Sequence, residues 1–496
     1  MKSTAPLPAC RRQASNGMAR LAKEPVLSLV LNEIEGRGLG VVSTQHKPHH
    51  NTKNLIFTIM HENTLQQQAR QIVDQTVGSL FLTGKAGTGK STFIRDVALS
   101  TAKRVVLVAP TGVAALNVKG ATIHSFFQLP FGPLPPGDNR LDHSRIRGNK
   151  AKIMQKMDLL IIDEVSMVRA DLMDAIDSTL RAVRDNPRAA FGGVQVLLVG
   201  DLFQLEPVVT QSDWPLLREH YDTPFFFSSA AYKELDPVNI ELTTVYRQQD
   251  ERFVNLLNRI RNNEMDEDSM EELNRRAIGS PIDDDMYITL CATRQAAQQT
   301  NDFKLASLNE QERTLTGKTS GIFGPELMPT EMDLKLKVGA QVMMVKNDLE
   351  KKWVNGSIGK ILAINNEELL IEIEGKEQKV TTVTWDNTRY DYDNLKSAIK
   401  EQIVGTFTQF PVKLAWGITI HKSQGLTFHK VIIDLGNGAF AAGQVYVALS
   451  RCTTLEGLVL RRPLTPRDIF VRPMVVEFYQ NMNNSRRIEQ ALKANF

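Results

Sequence analysis

Cysteine is scarce in this chain of 496 residues: Cys10, Cys291 and Cys452 stand far apart. With no C-x-x-C pair and an odd count, neither a zinc site nor a disulfide framework is indicated, and a reducing compartment is the default expectation. Long apolar runs are missing as well. The longest candidates, Leu159 to Ile162 and Val194 to Val199, have the length of buried strands, so no membrane partner is expected. An excess of one charge is also absent. The 59 Lys and Arg stand against 56 Asp and Glu, a net +3 that is compatible with a polyanionic partner but does not demand one. What the chain does have is enough length and apolar content for two or more cores.

Its most informative stretch is Gly84-Lys85-Ala86-Gly87-Thr88-Gly89-Lys90-Ser91. It joins an apolar strand, Leu80 to Thr83, to a segment of helical spacing that starts at Thr92. Glycines let the backbone approach an anion closely, and the loop N–H groups converge with the positive end of the helix on one point. Lys90 would reach the β and γ phosphates of a nucleoside triphosphate. Ser91 would hold Mg²⁺, and Gly84, Ala86, Gly87, Thr88, Gly89 and Thr92 complete the cradle. An ordinary glycine-rich turn is the bland alternative, which the flanking strand and helix disfavour.

Along the chain, residues 1–59 read as a disordered or non-core extension, Pro, Ser, Gly and Arg rich, with Met60 nearer the true beginning. From Gln66 the pattern becomes strand, helix, strand, with buried strands at Leu80 to Thr83, Val105 to Ala109, Leu159 to Asp163 and Gln195 to Gly200. This is a parallel α/β sheet with crossover helices. A Pro/Gly-rich segment from Gln128 to Arg147 interrupts it as a loop or small hairpin. A second α/β domain follows. Within it, the alternating patterns between Leu334 and Gln409 predict an all-β insertion, with Glu374-Gly375-Lys376 as a tight turn.

Phosphate chemistry also needs a carboxylate for the metal and another for the attacking water. Asp163-Glu164 follows the apolar strand Leu159 to Ile162, which delivers both to the sheet edge where open α/β folds bind ligands. Asp163 is expected to organise the metal and Glu164 to act as base. Gln204, shortly after the strand that ends at Gly200, comes to the same edge, where an amide can orient water or sense a γ-phosphate.

These blocks resemble superfamily 1 helicases, specifically the PIF (petite integration frequency) family in the branch that also contains RecD. The resemblance spans about Gln66 to Arg462. It includes Ala109-Pro110-Thr111-Gly112, Thr122-Ile123-His124-Ser125-Phe126-Phe127, Asp163-Glu164, Gly200-Asp201 with Gln204, and Val245-Tyr246-Arg247-Gln248. It continues through Ile420-His421-Lys422-Ser423-Gln424-Gly425 to Tyr446-Val447-Ala448-Leu449-Ser450-Arg451. The stretch Met173 to Gly193 is similar to the signature that separates the PIF family from its RecD relatives.

The resemblance implies an α/β fold of two tandem RecA-like P-loop NTPase domains, each a parallel sheet with helices on both faces. The first would cover 60–235 with a wedge insertion at 128–147. The second would cover 236–333 and 410–478 with an SH3-like β insertion at 334–409, leaving a tail at 479–496 that is either a docking segment or a frayed end. Catalytic roles fall to Lys90, Asp163, Glu164, Gln204, Arg247 and Arg451, the two arginines reaching across from the second domain. Gln67 matches the adenine-reading glutamine, with Gln66 and Gln68 beside it, and Gly425 joins the nucleotide contacts.

DNA contacts would come from Thr111, Gly112, Asn117, His124, Ser125, Phe126, Thr293, Asn301, Trp416, Thr419, His421, Lys422 and Ser423. The wedge tip would be Phe131 or Leu134. Implied are ATP, Mg²⁺, single-stranded DNA and forked or 5′-tailed duplex, a monomer, 5′ to 3′ movement, and work in replication, repair, recombination or telomere maintenance. The place would be the nucleoid-associated cytoplasm in a bacterial or phage setting, or the nucleus or mitochondrion in a eukaryote. Two rivals stand beside this reading: a RecD-like motor subunit of a nuclease complex, and a nucleotide-dependent single-strand-binding protein.

Overall fold

The computed structural model describes residues 65–246, 250–277, 286–393 and 398–493, which fall within one compact unit. The extension assigned to 1–59, and Arg247, lie outside these residues. Among the described residues no helix is long and apolar enough to cross a membrane.

Six strands, β1 (Leu80–Gly84), β2 (Val105–Ala109), β3 (Ala121–Thr122), β4 (Leu159–Ile162), β5 (Gln195–Val199) and β6 (Val238–Leu242), pair in parallel in the order β3-β2-β4-β5-β1-β6. The central strands are unbroken apolar runs because both of their faces are covered. Leu80, Leu82, Leu159, Ile161 and Leu197 pack into one core, and Phe81, Leu160, Ile162, Val196 and Leu198 into the other. This second core runs on without a gap into the second domain, where it takes in Ile288, Val431 and Tyr446.

β6 moves the expected domain boundary. The family resemblance starts the second domain at residue 236, but Val238 to Leu242 lie alongside Leu80 to Gly84 over their whole length. The chain therefore leaves the first domain between Leu242 and the helix Glu251–Asn262. β6 is an edge strand with only alternate residues buried, and nothing in its own sequence names β1 as its partner.

The second domain carries a parallel sheet in the order Gly417–Thr419, Ile288–Cys291, Val431–Asp434, Leu458–Leu460. Its insertion is built mainly of antiparallel strands. One sheet has the order Lys376–Thr381, Glu368–Ile373, Ile358–Ile364, Gln341–Met344, Val412–Leu414; the first two are joined through Glu374 and Gly375, both at positive φ as a tight turn requires. These strands begin earlier than residue 334. Arg313–Thr316 pairs with Asp333–Leu336, and Lys318–Gly321 pairs with Ala398–Gln409, recruiting segments whose own sequences are largely polar. The long hairpin of Val383–Asp393 and Ala398–Gln409 reaches the first domain, where Tyr390 Oη accepts the Leu107 N–H at 3.1 Å and its ring meets Phe126 edge-on.

The C-terminal segment returns to the first domain. Tyr479 Oη lies 2.5 Å from Thr83 Oγ1, and Asn483 brackets β6 by accepting the Glu241 N–H (2.8 Å) and donating to the Glu241 carbonyl (3.1 Å). Ile488, in the helix Ser485–Lys493, is buried in the same core as Leu80 and Ile240. The tail docks rather than frays.

Candidate functional site

The phosphate loop leads from β1 into the helix Lys90–Ser100. Gly87 and Gly89 adopt φ of 83° and 86°, left-handed values that suit glycine and that tighten the loop. Lys90 Nζ donates to the carbonyls of Gly84 (2.5 Å) and Lys85 (3.1 Å), so its ammonium lies within the loop. Burial pulls its pKa below the usual lysine range, against the opposing pull of Asp201, Glu164 and Asp163. Ser91 and Thr92 are exposed on the first helical turn, and Thr88 is buried with its hydroxyl donating to Lys85 O. Gln67 is exposed on a helix at 65–75.

Asp163 and Glu164 follow β4. Burial, and then the charge of Glu164, push the Asp163 carboxyl up to about 7. Burial also raises Glu164, while Lys90 and Arg451 act the other way. Glu164 sits at φ 49°, a conformation costly for a non-glycine residue and common at functional sites. Gln204, after β5, is buried, its Nε2 donating to Asp201 Oδ2 at 3.2 Å. A hydroxyl and one carboxylate, Ser91 and Asp163, suit Mg²⁺, which keeps water and phosphate oxygens in its shell and needs no all-protein cage.

The second domain closes directly on this edge. Gly443, at φ 72°, approaches so closely that an added Cβ would stand 2.3 Å from Phe203 O and 2.4 Å from Gln204 O. Tyr446 Oη accepts the Ala86 N–H of the phosphate loop at 3.1 Å, and in the crossover Tyr246 N donates to Gly87 O at 2.9 Å. Sequence reasoning missed both tyrosines, because each contact joins residues far apart in the chain and neither tyrosine carries a charge that marks it as a phosphate-site group.

Arg451 is buried. Its Nε donates to Val447 O (2.9 Å) and its Nη2 to Ser450 Oγ (2.8 Å), while its charge acts on Glu164 from the facing domain. Gly425 is exposed at φ 77°, with open space on its Cβ side.

The candidate nucleic-acid residues divide. Thr111 and Thr293 occupy equivalent places, capping the helices that follow β2 and the strand Ile288–Cys291, and each hydroxyl accepts a backbone N–H at 3.2 Å. Asn117, Ser125 and Lys422 are exposed, and Gly112 is half-buried. His124 and His421 have pKa values lowered first by burial and then by Arg169 and Arg294, so both present neutral rings near pH 7 and meet a ligand as hydrogen-bonding groups.

Other residues are engaged inside the fold. Phe126 is buried in the short helix Ile123–Phe127, which corrects its expected place among the DNA contacts. Ser423 is fully buried with its hydroxyl on Ile420 O (2.7 Å). Thr419 accepts the Lys422 N–H, and the Asn301 amide holds Gly417 through two 2.8 Å bonds. Trp416 is almost buried at the wall of a cavity of about 400 Å³ shared with Tyr287, Thr300 and Phe303.

Leu134 is 2% exposed in the first-domain core and so is not a tip, whereas Phe131 is 81% exposed. The loop beneath Phe131 is anchored by the Arg169–Asp171 pair: Arg169 donates to Gly132 O, and Asp171 accepts the Leu134 N–H at 2.7 Å. Phe131 stacks on His124 with ring centroids 4.8 Å apart.

A model of PIF1-like helicases matches residues 59–271, and a model of the DNA helicase Pif1 2B domain matches 327–364. The human ATP-dependent DNA helicase PIF1 is 33% identical over 425 residues, covering 83% of this chain and 62% of the relative. The chain thus spans about three fifths of the length of the curated relatives it matches. Among solved structures, a double mutant of the Bacteroides Pif1 helicase aligns at TM-score 0.79 with 37% identity, covering 86% of this chain and 97% of that one. The Bacteroides protein in complex with ADP-AlF4 aligns at 0.78 with 36% identity, covering 87% and 97%. The same order of phosphate loop, Asp-Glu edge, second parallel sheet and β insertion, at this identity over nearly all of a solved relative, means that the chain belongs to the PIF1-like helicase family.

Proposed function

We propose that this chain is an ATP-driven DNA helicase that moves 5′ to 3′ along single-stranded DNA and opens forked or 5′-tailed duplex. The observation that carries the reading is the seam: Tyr446 of the second domain accepts a phosphate-loop N–H, and Gly443 abuts the backbone of Phe203 and Gln204. The Bacteroides relatives solved with ADP-AlF4 and with single-stranded DNA support nucleotide and DNA as its ligands.

In this reading Lys90 neutralises the β and γ phosphates and the loop N–H groups hold their oxygens. Glu164 accepts the proton of the attacking water, and Gln204 orients that water. Arg451, with Arg247, meets the charge that develops on the γ-phosphoryl group, so closing the domains and stabilising the transition state are one event. Mg²⁺, held through Ser91 and Asp163, would draw charge from the phosphate oxygens.

Alternating grips by the turns around Thr111 and Thr293 would then advance the protein along phosphates, a mode of contact that reads no sequence. Each duplex step resists with roughly 0.6–2.2 kcal/mol of stacking. Phe131, exposed on an anchored loop, would bear against the first pair.

The test is ATPase and unwinding on 5′-tailed, 3′-tailed and blunt duplexes. The expected result is single-strand-stimulated ATPase with unwinding of the 5′-tailed substrate alone. Unwinding only from a 3′ tail would overturn the polarity. ATPase without any unwinding would move the reading to a motor subunit that needs a partner, and ATPase indifferent to DNA to a nucleotide-dependent binding protein.

A further inference from the structure

Arg261, in the last turn of the helix Glu251–Asn262 on the second-domain side of the crossover, is 4% exposed. Its Nη2 lies 2.8 Å from Glu241 Oε1 on β6 and 3.5 Å from Asp201 Oδ1 just beyond β5. Both carboxylates belong to the first domain. The guanidinium also lies over the ring of Phe203 at 4.2 Å and near that of Tyr479 at 5.2 Å, so it is held in one plane. Burial is the largest single influence and lowers its pKa, but Asp201, Tyr479, Tyr446 and Glu241 together outweigh it and the net shift is upward, so the group remains a cation.

Asp201 has a second partner. While Oδ1 faces Arg261 and accepts the Phe203 N–H (3.2 Å), Oδ2 accepts from Gln204 Nε2 at 3.2 Å. A line of contacts therefore runs from a second-domain guanidinium, through a buried carboxylate, to the amide assigned to the attacking water. If Arg261 withdraws, Lys85 and Lys90 in the phosphate loop are cations whose fields still reach Asp201. A carboxylate turning toward them would no longer hold the Gln204 amide in place.

We propose that Arg261 is a positioning residue for ATP hydrolysis: it fixes Asp201, which aligns Gln204 only while the second domain is seated on the first. This rests on the proposed ATPase activity. It adds a purely structural route by which domain closure licenses chemistry, separate from the arginines that meet the phosphate.

The test is steady-state, DNA-stimulated ATPase of the full chain with Arg261→Met, Gln204→Ala and the double variant. Arg261→Met is expected to lower kcat by about tenfold or more while KM for ATP moves less than about threefold; in the Gln204→Ala background the same change costs less than about twofold further. An equal fold loss in both backgrounds, or a loss confined to KM, would overturn the proposal. If Arg261→Met does not fold, Arg261→Lys keeps the buried charge without the planar fork and is read by the same two ratios. Absence of DNA-stimulated ATPase in the unaltered chain would instead refute the proposed function itself.

Discussion

Replacing Tyr446 by Phe removes one oxygen from the seam and nothing else of consequence. The ring is 4% exposed and stays packed in the phenylalanine variant, so no cavity forms. The lost contact is the 3.1 Å hydrogen bond from Ala86 N–H. Burial and Asp201 raise the phenol pKa, so the group is neutral at any working pH and the bond is of the neutral kind. Such a bond is worth about 0.5–1.5 kcal/mol net. That bond occupies a donor which a bound phosphate needs, so nucleotide must displace Tyr446 to reach Ala86. Without the hydroxyl the displacement disappears, and the predicted effect is a gain in affinity. In the absence of DNA, Kd for a non-hydrolysable ATP analogue should fall by about 2- to 13-fold, the same energy expressed as a binding ratio. Fluorescence titration with a labelled analogue measures it. Unchanged or weaker binding in a variant that melts like the parent would refute the competition argument.

Lys90→Ala should abolish ATP turnover, and DNA-stimulated ATPase persisting in that variant would remove the loop assignment. Arg451→Ala should lower kcat more than nucleotide affinity. Because the guanidinium also satisfies Val447 O and Ser450 Oγ, the change should cost about 1–3 kcal/mol of stability in a melting experiment. Phe131→Ala should reduce unwinding while leaving single-strand-stimulated ATPase intact, whereas Leu134→Ala, three residues on, should destabilise the first domain by about 2–5 kcal/mol; equal unwinding by Phe131→Ala and parent would exclude the tip role. Asp468 is buried, yet its bonds to Arg462 and Thr465 outweigh that burial and hold its pKa well below the usual carboxylate range. Its contribution is present above the unfolded-state value of about 4 and is lost as pH falls toward the folded one. The gap in Tm between parent and Asp468→Asn should therefore be full at pH 7 and close below about pH 4; a gap independent of pH would contradict the ion pair.

The phosphate loop, the Asp163-Glu164 edge and the two parallel sheets were legible because each is written locally: an apolar run, a glycine pattern, a polar end. What stayed hidden depends on partners distant in sequence. Val238 to Leu242 alternates like many strands, and only β1 assigns it to the first sheet. Phe126 and Leu134 lie in segments whose polar and Pro/Gly-rich neighbours suggest exposure, yet both are buried. Arg261 gives no signal at all in a helix rich in charge; its role is visible only once Asp201, Phe203 and Tyr479 are brought around it.

The docked tail changes what kind of machine this topology permits. Since the polypeptide departs from the first lobe after β6 and rejoins that strand through Asn483, with Ile488 seated in the lobe's own core, the second lobe is strung between two moorings on the same body. A lobe on a single tether can swing and twist freely. One moored at both ends has its travel confined to rocking about the line between its attachments, so any movement of the second lobe is guided through a repeatable arc.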